Sequence, residues 1–250
     1  MRLTTDGLII KENPVGEDDR LVTVLTRDRG LVRAFVRGAR KLKNRNASAT
    51  GLLCYSSFTL FHHKDTYTID EASPLEVFFS LRGEIEKLSL AQYFCEICLC
   101  LAPEETPAEE LLRLILNSLH LLAGDRRPAA QLKAVFELRA MTLSGFMPDL
   151  VACTGCGAFE AEEMYFSPID GVLVCGACRD RSGRGGMMPV TKGVLAAMRH
   201  ITYAEFAKLF RFELPAEGLK QLGEITQRYL LVQTDRRFVT LEFYSSLSAL

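Results

Sequence analysis

The most specific chemistry in the sequence lies in two cysteine pairs, Cys153-Thr154-Gly155-Cys156 and Cys175-Gly176-Ala177-Cys178, separated by eighteen residues. Two C-x2-C pairs at this separation have the spacing of a four-cysteine zinc site. A two-residue gap lets both thiolates of a pair turn inward on one tight knuckle, and Gly157 and Gly176 are expected to let backbone amides approach the sulfurs. Four thiolates close the coordination shell and leave no position for an activated water. The site is therefore expected to be structural, with one Zn2+ per chain held by Cys153, Cys156, Cys175 and Cys178. The competing reading, buried or disulfide-bonded cysteines, is disfavoured in a reducing compartment.

The second concentration of chemistry is electrostatic. Arg27, Arg29, Arg33, Arg37, Arg40, Lys41, Lys43 and Arg45 fall in one stretch against the single acid Asp28, although the whole chain carries a net charge of only −1. In Leu31-Val32-Arg33-Ala34-Phe35-Val36-Arg37 the two-residue period sends Val32, Ala34 and Val36 to one face and Arg33, Phe35 and Arg37 to the other. An aromatic ring between guanidinium groups, continued by Arg40, Lys41, Lys43 and Arg45, suits single-stranded nucleic acid: bases stack on rings and phosphates pair with cations. The bland alternative is a sheet edge protected by charge.

These residues need elements to hold them. Short alternating runs at Leu8–Lys11, Leu21–Thr26, Leu31–Arg37, Ser57–His62 and Tyr67–Ala72, split by turn residues that include Lys64-Asp65, predict five strands in a small barrel such as the OB-fold. From about Ser80 the period becomes helical. Leu81 to Leu101 forms one stripe, Glu109–Ala123 stops at Gly124, and a third helix starts near Pro128 and stops at Gly145. Met164–Ser167 and Val172–Val174 flank Asp170-Gly171 as a hairpin that returns the second cysteine pair to the first. Thr191 is expected to cap a helix reaching about Phe210, Pro215 to open one reaching about Gln233, and Arg181 to Gly186 to form a flexible loop. The stretch from Arg236 to Leu250 reads equally as strand or short helix. The fold class expected is α+β and multidomain: a barrel over residues 1–80, helices over 81–150 and 183–250, and a four-cysteine zinc module inserted at 151–182.

At 250 residues, 48% hydrophobic and 24% charged, the composition is globular and excludes collagenous, coiled-coil and mostly disordered classes. No apolar run reaches the ~20 residues that span a bilayer, and the N-terminus lacks a secretory pattern, so a cytosolic protein is expected. No G-x-x-x-x-G-K-[ST] loop, H-E-x-x-H or G-x-S-x-G motif is present. Cys95, Cys98 and Cys100 contain a further C-x2-C but sit within a helical stripe, where cysteine acts as a small buried hydrophobe.

Gly7-Leu8-Ile9-Ile10-Lys11, Gly16-Glu17-Asp18-Asp19-Arg20-Leu21-Val22-Thr23 and Val36-Arg37-Gly38-Ala39-Arg40-Lys41 together with Gly145-Phe146-Met147-Pro148-Asp149-Leu150 before Cys153 and Gly171-Val172-Leu173-Val174-Cys175 give a further reading. With these residues the chain resembles the RecO family of bacterial recombination mediators over nearly its whole length. The resemblance implies an OB-fold, a helical domain and a zinc module. It also implies binding to single- and double-stranded DNA, annealing of complementary strands, and cooperation with RecR, often RecF, and single-strand-binding protein in loading RecA, without ATP or enzymatic turnover. Arg37, Arg40, Lys41, Lys43 and Arg45 match the family's basic segment and would contact phosphate. Phe35 as a stacking residue comes from strand alternation alone. Two other classes stay open on the residues: a zinc-containing adaptor that binds only proteins, and a hydrolase or nuclease built from scattered residues.

Overall fold

Alternation of apolar and polar residues through the first eighty positions builds five strands: β1 (Arg2–Val15), β2 (Asp19–Thr26), β3 (Gly30–Val36), β4 (Cys54–His63) and β5 (Thr66–Val77). A 3-10 turn at Phe79–Gly83 leads to helices α1 (Ile85–Leu101), α2 (Glu109–Ala123) and α3 (Ala129–Leu143). Strands β6 (Asp149–Cys153), β7 (Met164–Ser167) and β8 (Val172–Cys175), the short helix α4 (Gly176–Arg179) and strand β9 (Met188–Val190) follow. Helices α5 (Lys192–Tyr203), α6 (Ala216–Thr234) and α7 (Val239–Leu247) complete the described chain. The structure, a computed structural model, describes residues 2–247 apart from Arg40, Leu42, Lys43, Arg45, Lys64, Asp65, Arg184 and the side chain of His63. The expected phosphate contacts Arg40, Lys43 and Arg45, and the Lys64-Asp65 turn, thus lie outside the described residues.

Two compact units divide the chain, one comprising residues 1–124 with 238–250 and the other residues 125–237. In the first, the strands close into a barrel in the order β1-β2-β3-β5-β4, with β3 and β5 parallel and the other ladders antiparallel. Ile9, Val22, Val24, Val32, Ala34, Val36, Phe58, Leu60 and Ile69 fill its interior. Every second residue of a strand faces inward, so the inward set is apolar and the outward set is free to carry charge. Truncating the fully buried Phe58 to Ala would cost about 3–5 kcal/mol through lost packing and the cavity left behind. Gly30, at φ +58°, turns the β2–β3 hairpin where a Cβ would lie 2.0 Å from the Pro103 carbonyl oxygen, so only glycine lets the segment before α2 dock there. That segment is fastened by the amide of Leu31 donating to Pro103 (2.9 Å) and the amide of Ala108 donating to Arg27 (2.9 Å).

The segment left open between strand and helix is helical over Val239–Leu247. The Glu96 carboxylate on α1 accepts the amides of Val239 (3.3 Å) and Thr240 (3.0 Å) and also the Thr240 hydroxyl, which satisfies the first N–H groups of α7. Tyr93 meets Phe238 edge-on at 5.8 Å. Cys95 and Cys98 are buried in α1, where burial pushes the Cys95 thiol up to about 12 and Cys98 well above its ordinary value, so neither is a reactive thiolate.

In the second unit α3 is buried around its whole circumference, including Gln131, Lys133, Glu137 and Arg139. Lys133 and Glu137 pair at 2.8 Å, Glu137 accepts the Thr226 hydroxyl (2.6 Å), and Lys133 donates to Gln227 (2.9 Å), which ties α3 to α6. Two sequence expectations change here. Helix α5 ends at Tyr203 rather than near Phe210, because the Arg139 guanidinium takes the carbonyls of Ile201 (3.2 Å) and Thr202 (2.7 Å) and Ala204 turns extended. Thr191 does not cap α5 with its side chain; its hydroxyl donates to Gln221 Oε1 (2.9 Å) instead. Of the expected loop from Arg181 to Gly186, Arg181 and Ser182 belong to a 3-10 turn. No helix among the described residues is long and apolar enough to cross a membrane.

Candidate metal centre and nucleic-acid interface

The second sheet runs β6-β8-β7-β9, and the β7–β8 hairpin pairs Met164 with Cys175 and Ser167 with Val172. Cys153 ends β6, Cys175 ends β8, and Cys178 lies in α4, so sheet pairing carries the two knuckles together. The first knuckle is a closed turn: the amide of Gly157 donates to the Cys153 carbonyl (2.8 Å) and that of Cys153 to Ala158 (2.9 Å). Thr154 hangs it on β8 through its amide to the Leu173 carbonyl (3.0 Å). The four Sγ atoms lie within 4.8 Å of one another, and Cys156 and Cys175 are 3.7 Å apart, too far for a disulfide. Four thiolates around a tetrahedral zinc with bonds of about 2.3 Å would be about 3.8 Å apart. The donor set therefore fits a structural metal ion.

Electrostatics favour the same reading. Burial pushes the Cys153 thiol up, but the amides of Cys175, Gly155 and Cys156 outweigh it and hold the group down at about 6. Cys178 is pushed up to about 12, first by the neighbouring thiols of Cys175 and Cys156 and then by burial. Packed anions repel, so a fully ionised cluster requires a cation among them. The amides within hydrogen-bond distance of Cys153 Sγ are those of Gly155 (3.4 Å) and Cys175 (3.2 Å). Gly157 supplies positive φ for the turn, and the Gly176 amide is spent on Glu163 (3.0 Å). Gly155 is small for a steric reason: a Cβ there would lie 3.0 Å from both Cβ and Sγ of Cys178.

Sequence reasoning missed Arg199. Its guanidinium, from α5, donates to the carbonyls of Leu150 (2.7 Å), Val151 (3.0 Å) and Phe159 (2.8 Å) and lies 3.9 Å from the centre of the Phe159 ring. These partners bracket Cys153 and Cys156 on both sides along the chain. One charged side chain thus closes the first knuckle against the helix. Backbone carbonyl partners have no signature in sequence, which is why this residue carried no signal.

In the first unit, Arg33 is exposed on β3 and Arg37 just beyond its end, Phe35 between them is half-buried, and Val32, Ala34 and Val36 face the barrel core. Neither arginine has an ion-pair partner among the described residues. Lys41 is exposed and meets Asp18 at 3.1 Å, while Asp19 accepts the Gly38 amide at 2.7 Å. These contacts fasten the start of the basic segment to the turn between β1 and β2. Phe35, Arg37 and Lys41 are therefore brought to the end of the barrel where β3 exits, with Arg33 further back at mid-strand opposite Thr23.

The profile of the family described as "Recombination protein O N terminal" matches residues 1–78, and that described as "Recombination protein O C terminal" matches residues 82–242. The chain belongs to the RecO family. A protein named DNA repair protein RecO from Acetivibrio thermocellus is 34% identical over 98% of this chain and 97% of its own. Those of Symbiobacterium thermophilum (31% identical, 97% of this chain and 96% of that one) and Desulforudis audaxviator (35%, 96% and 94%) bear the same name. The RecO matches cover both the barrel strands and the cysteine cluster, so both features lie inside the shared family sequence.

Proposed function

We propose that this chain is a DNA-repair mediator that binds single- and double-stranded DNA, anneals complementary strands, and helps load RecA onto strands coated with single-strand-binding protein. RecR, and indirectly RecF, would be its other partners, and the work would take place in the bacterial cytoplasm at the nucleoid, with neither ATP nor a catalytic centre. The observation that carries the reading is the barrel surface where Arg33 on β3, and Arg37 and Lys41 beyond its exit, are exposed on a chain of RecO family membership. The strand order β1-β2-β3-β5-β4 supports reading residues 1–80 as an OB-fold, a barrel suited to oligonucleotides. Residues 81–150 and 183–250 would be the helical parts that dock protein partners. Residues 151–182 would hold one Zn2+ on Cys153, Cys156, Cys175 and Cys178. The ion would supply only cross-linking of the two knuckles, since a closed thiolate shell offers no site to a water or substrate.

The mechanism follows from polyelectrolyte physics. Cations on the barrel replace the counterions condensed on a strand, so two strands held at such surfaces repel each other less and pair faster. With Arg33, Arg37, Arg40, Lys41, Lys43 and Arg45 available, about five phosphate contacts would give a log–log salt slope of about −3.5 on single strands. The deciding experiment is annealing of complementary oligonucleotides, bare and coated with single-strand-binding protein, followed by fluorescence without ATP. Acceleration on coated strands is expected. Absence of acceleration by folded, metal-loaded protein would favour a protein-only adaptor.

A further inference from the structure

The registers of the five barrel ladders place six residues in one transverse row: Arg2 opposite Phe61, Phe61 opposite Thr68, Thr68 opposite Phe35, Phe35 opposite Leu21 and Leu21 opposite Asn13. Residues directly opposed across a ladder share a face. This face is outward: Arg2, Phe61 and Asn13 are exposed and Thr68, Phe35 and Leu21 half-buried, while Leu60, Ile69, Ala34 and Val22 in the adjacent inward positions are buried. Phe61 is 50% exposed. It has a cation on one side, Arg2, and Phe35 two strands away on the other, at about 10 Å from the spacing of adjacent strands. Arg33 stands two residues before Phe35 on the same face of β3, and Arg37, the first residue after the strand, is exposed two residues beyond it. The row also lies near the β1–β2 turn, the end of β4 and the exit of β3, the end of the barrel to which Lys41 is tied. Asp70, 3.8 Å from Arg2, Asp18 at Lys41, Asp19 at the Gly38 amide and Glu17 in the β1–β2 turn are among the acids there.

We propose that Phe61 is the outer base-stacking residue of a single-strand-selective site in which Phe61 and Phe35 receive unpaired bases and Arg2, Arg33 and Arg37 receive the flanking phosphates. The inference rests on the DNA-binding reading above and deepens it. An exposed ring framed by cations fits a polyanion that also offers flat apolar faces, which an unpaired strand does. A duplex keeps those faces inside its own stack and can use only the cations. Stacking would therefore add affinity for single strands alone, independently of salt.

The test is fluorescence anisotropy of labelled oligo(dT) and of a duplex of equal length at several salt concentrations, with the full chain and the variants Phe61→Ala, Phe61→Leu and Phe61→Tyr. The substituted side chain is exposed, and thermal melting checks that each variant is folded. Phe61→Ala is expected to weaken oligo(dT) binding at least about fivefold with an unchanged salt slope and unchanged duplex affinity. Phe61→Tyr should bind like the parent, and Phe61→Leu should be as weak as Phe61→Ala. Unchanged oligo(dT) affinity in Phe61→Ala, an equal loss on duplex, or full rescue by leucine would each overturn the stacking role while leaving DNA binding intact. A parent protein that binds neither substrate would overturn the DNA-binding reading itself, and this inference with it.

Discussion

At the cysteine cluster, four sulfur atoms turn inward to within 4.8 Å of one another, and amides and an arginine clamp converge on the knuckles. On the outside of the barrel, Arg33 on β3 and Arg37 just beyond it have no ion-pair partner among the described residues, and Phe61 is half exposed. Both regions gather groups of one charge sign. The inward set becomes stable only with a resident counter-ion, which suits a permanent metal, whereas the outward set tolerates being unpaired in water and suits a polyanion that comes and goes. The difference separates what holds this molecule together from what it would act upon.

The largest test of that separation is Cys175→Ser. Metal content should fall from about one per chain to near none, and the second unit should lose much of a contribution that reaches about 10–16 kcal/mol in zinc-finger peptides. Elemental analysis and calorimetry read these, while oligonucleotide affinity should stay within about twofold, as for independent sites. A parallel collapse of DNA binding would merge the two regions. Next in size, Arg199→Met should keep the fold but weaken metal about 10- to 100-fold in competition with a chromogenic chelator, as removal of groups that orient ligands does elsewhere.

Replacing Arg33, Arg37 and Lys41 together by Ala should lower single-strand affinity by about tenfold at low salt and flatten the salt slope by about 2, at ~0.7 per lost phosphate contact. Because the three side chains are exposed, unfolding free energy should move by no more than about 0.5 kcal/mol each. The smallest effect is protonic. The amides hold the Cys153 thiol down at about 6, so at neutral pH it is a thiolate and metal binding displaces little proton from it there. Below about pH 6 the number of protons released on binding should rise, and metal affinity should fall as protons compete for the Cys153 sulfur. Calorimetry in buffers of different ionisation enthalpy measures the number.

The sequence made legible whatever depends on local period and spacing. The five strands, the helix Glu109–Ala123, the Asp170-Gly171 hairpin and the four clustered cysteines are all of this kind. Arg199 was not legible, because the carbonyls it binds lie 40–49 residues away and any residue could supply them. The burial of Lys133, Glu137 and Arg139 ran against the usual exposure of charged residues and needed α5 and α6 to be in place. Phe61 read as an ordinary apolar residue of a strand. Alternation puts Phe61 on the face opposite Phe58 and Leu60, but only the cross-strand register, fixed by pairing partners distant in sequence, aligns it with Phe35.

The Glu96 carboxylate that receives the start of α7 has a consequence for synthesis. Residues 238–247 leave the ribosome only after all of residues 125–237, so the barrel unit is interrupted in time by the complete second unit. Until then Glu96 and the face of Tyr93 that meets Phe238 lack their partner. A nascent chain would thus present its barrel before its last helix is available, and stalling or truncation near residue 237 should yield a folded second unit beside a first unit missing its closing helix.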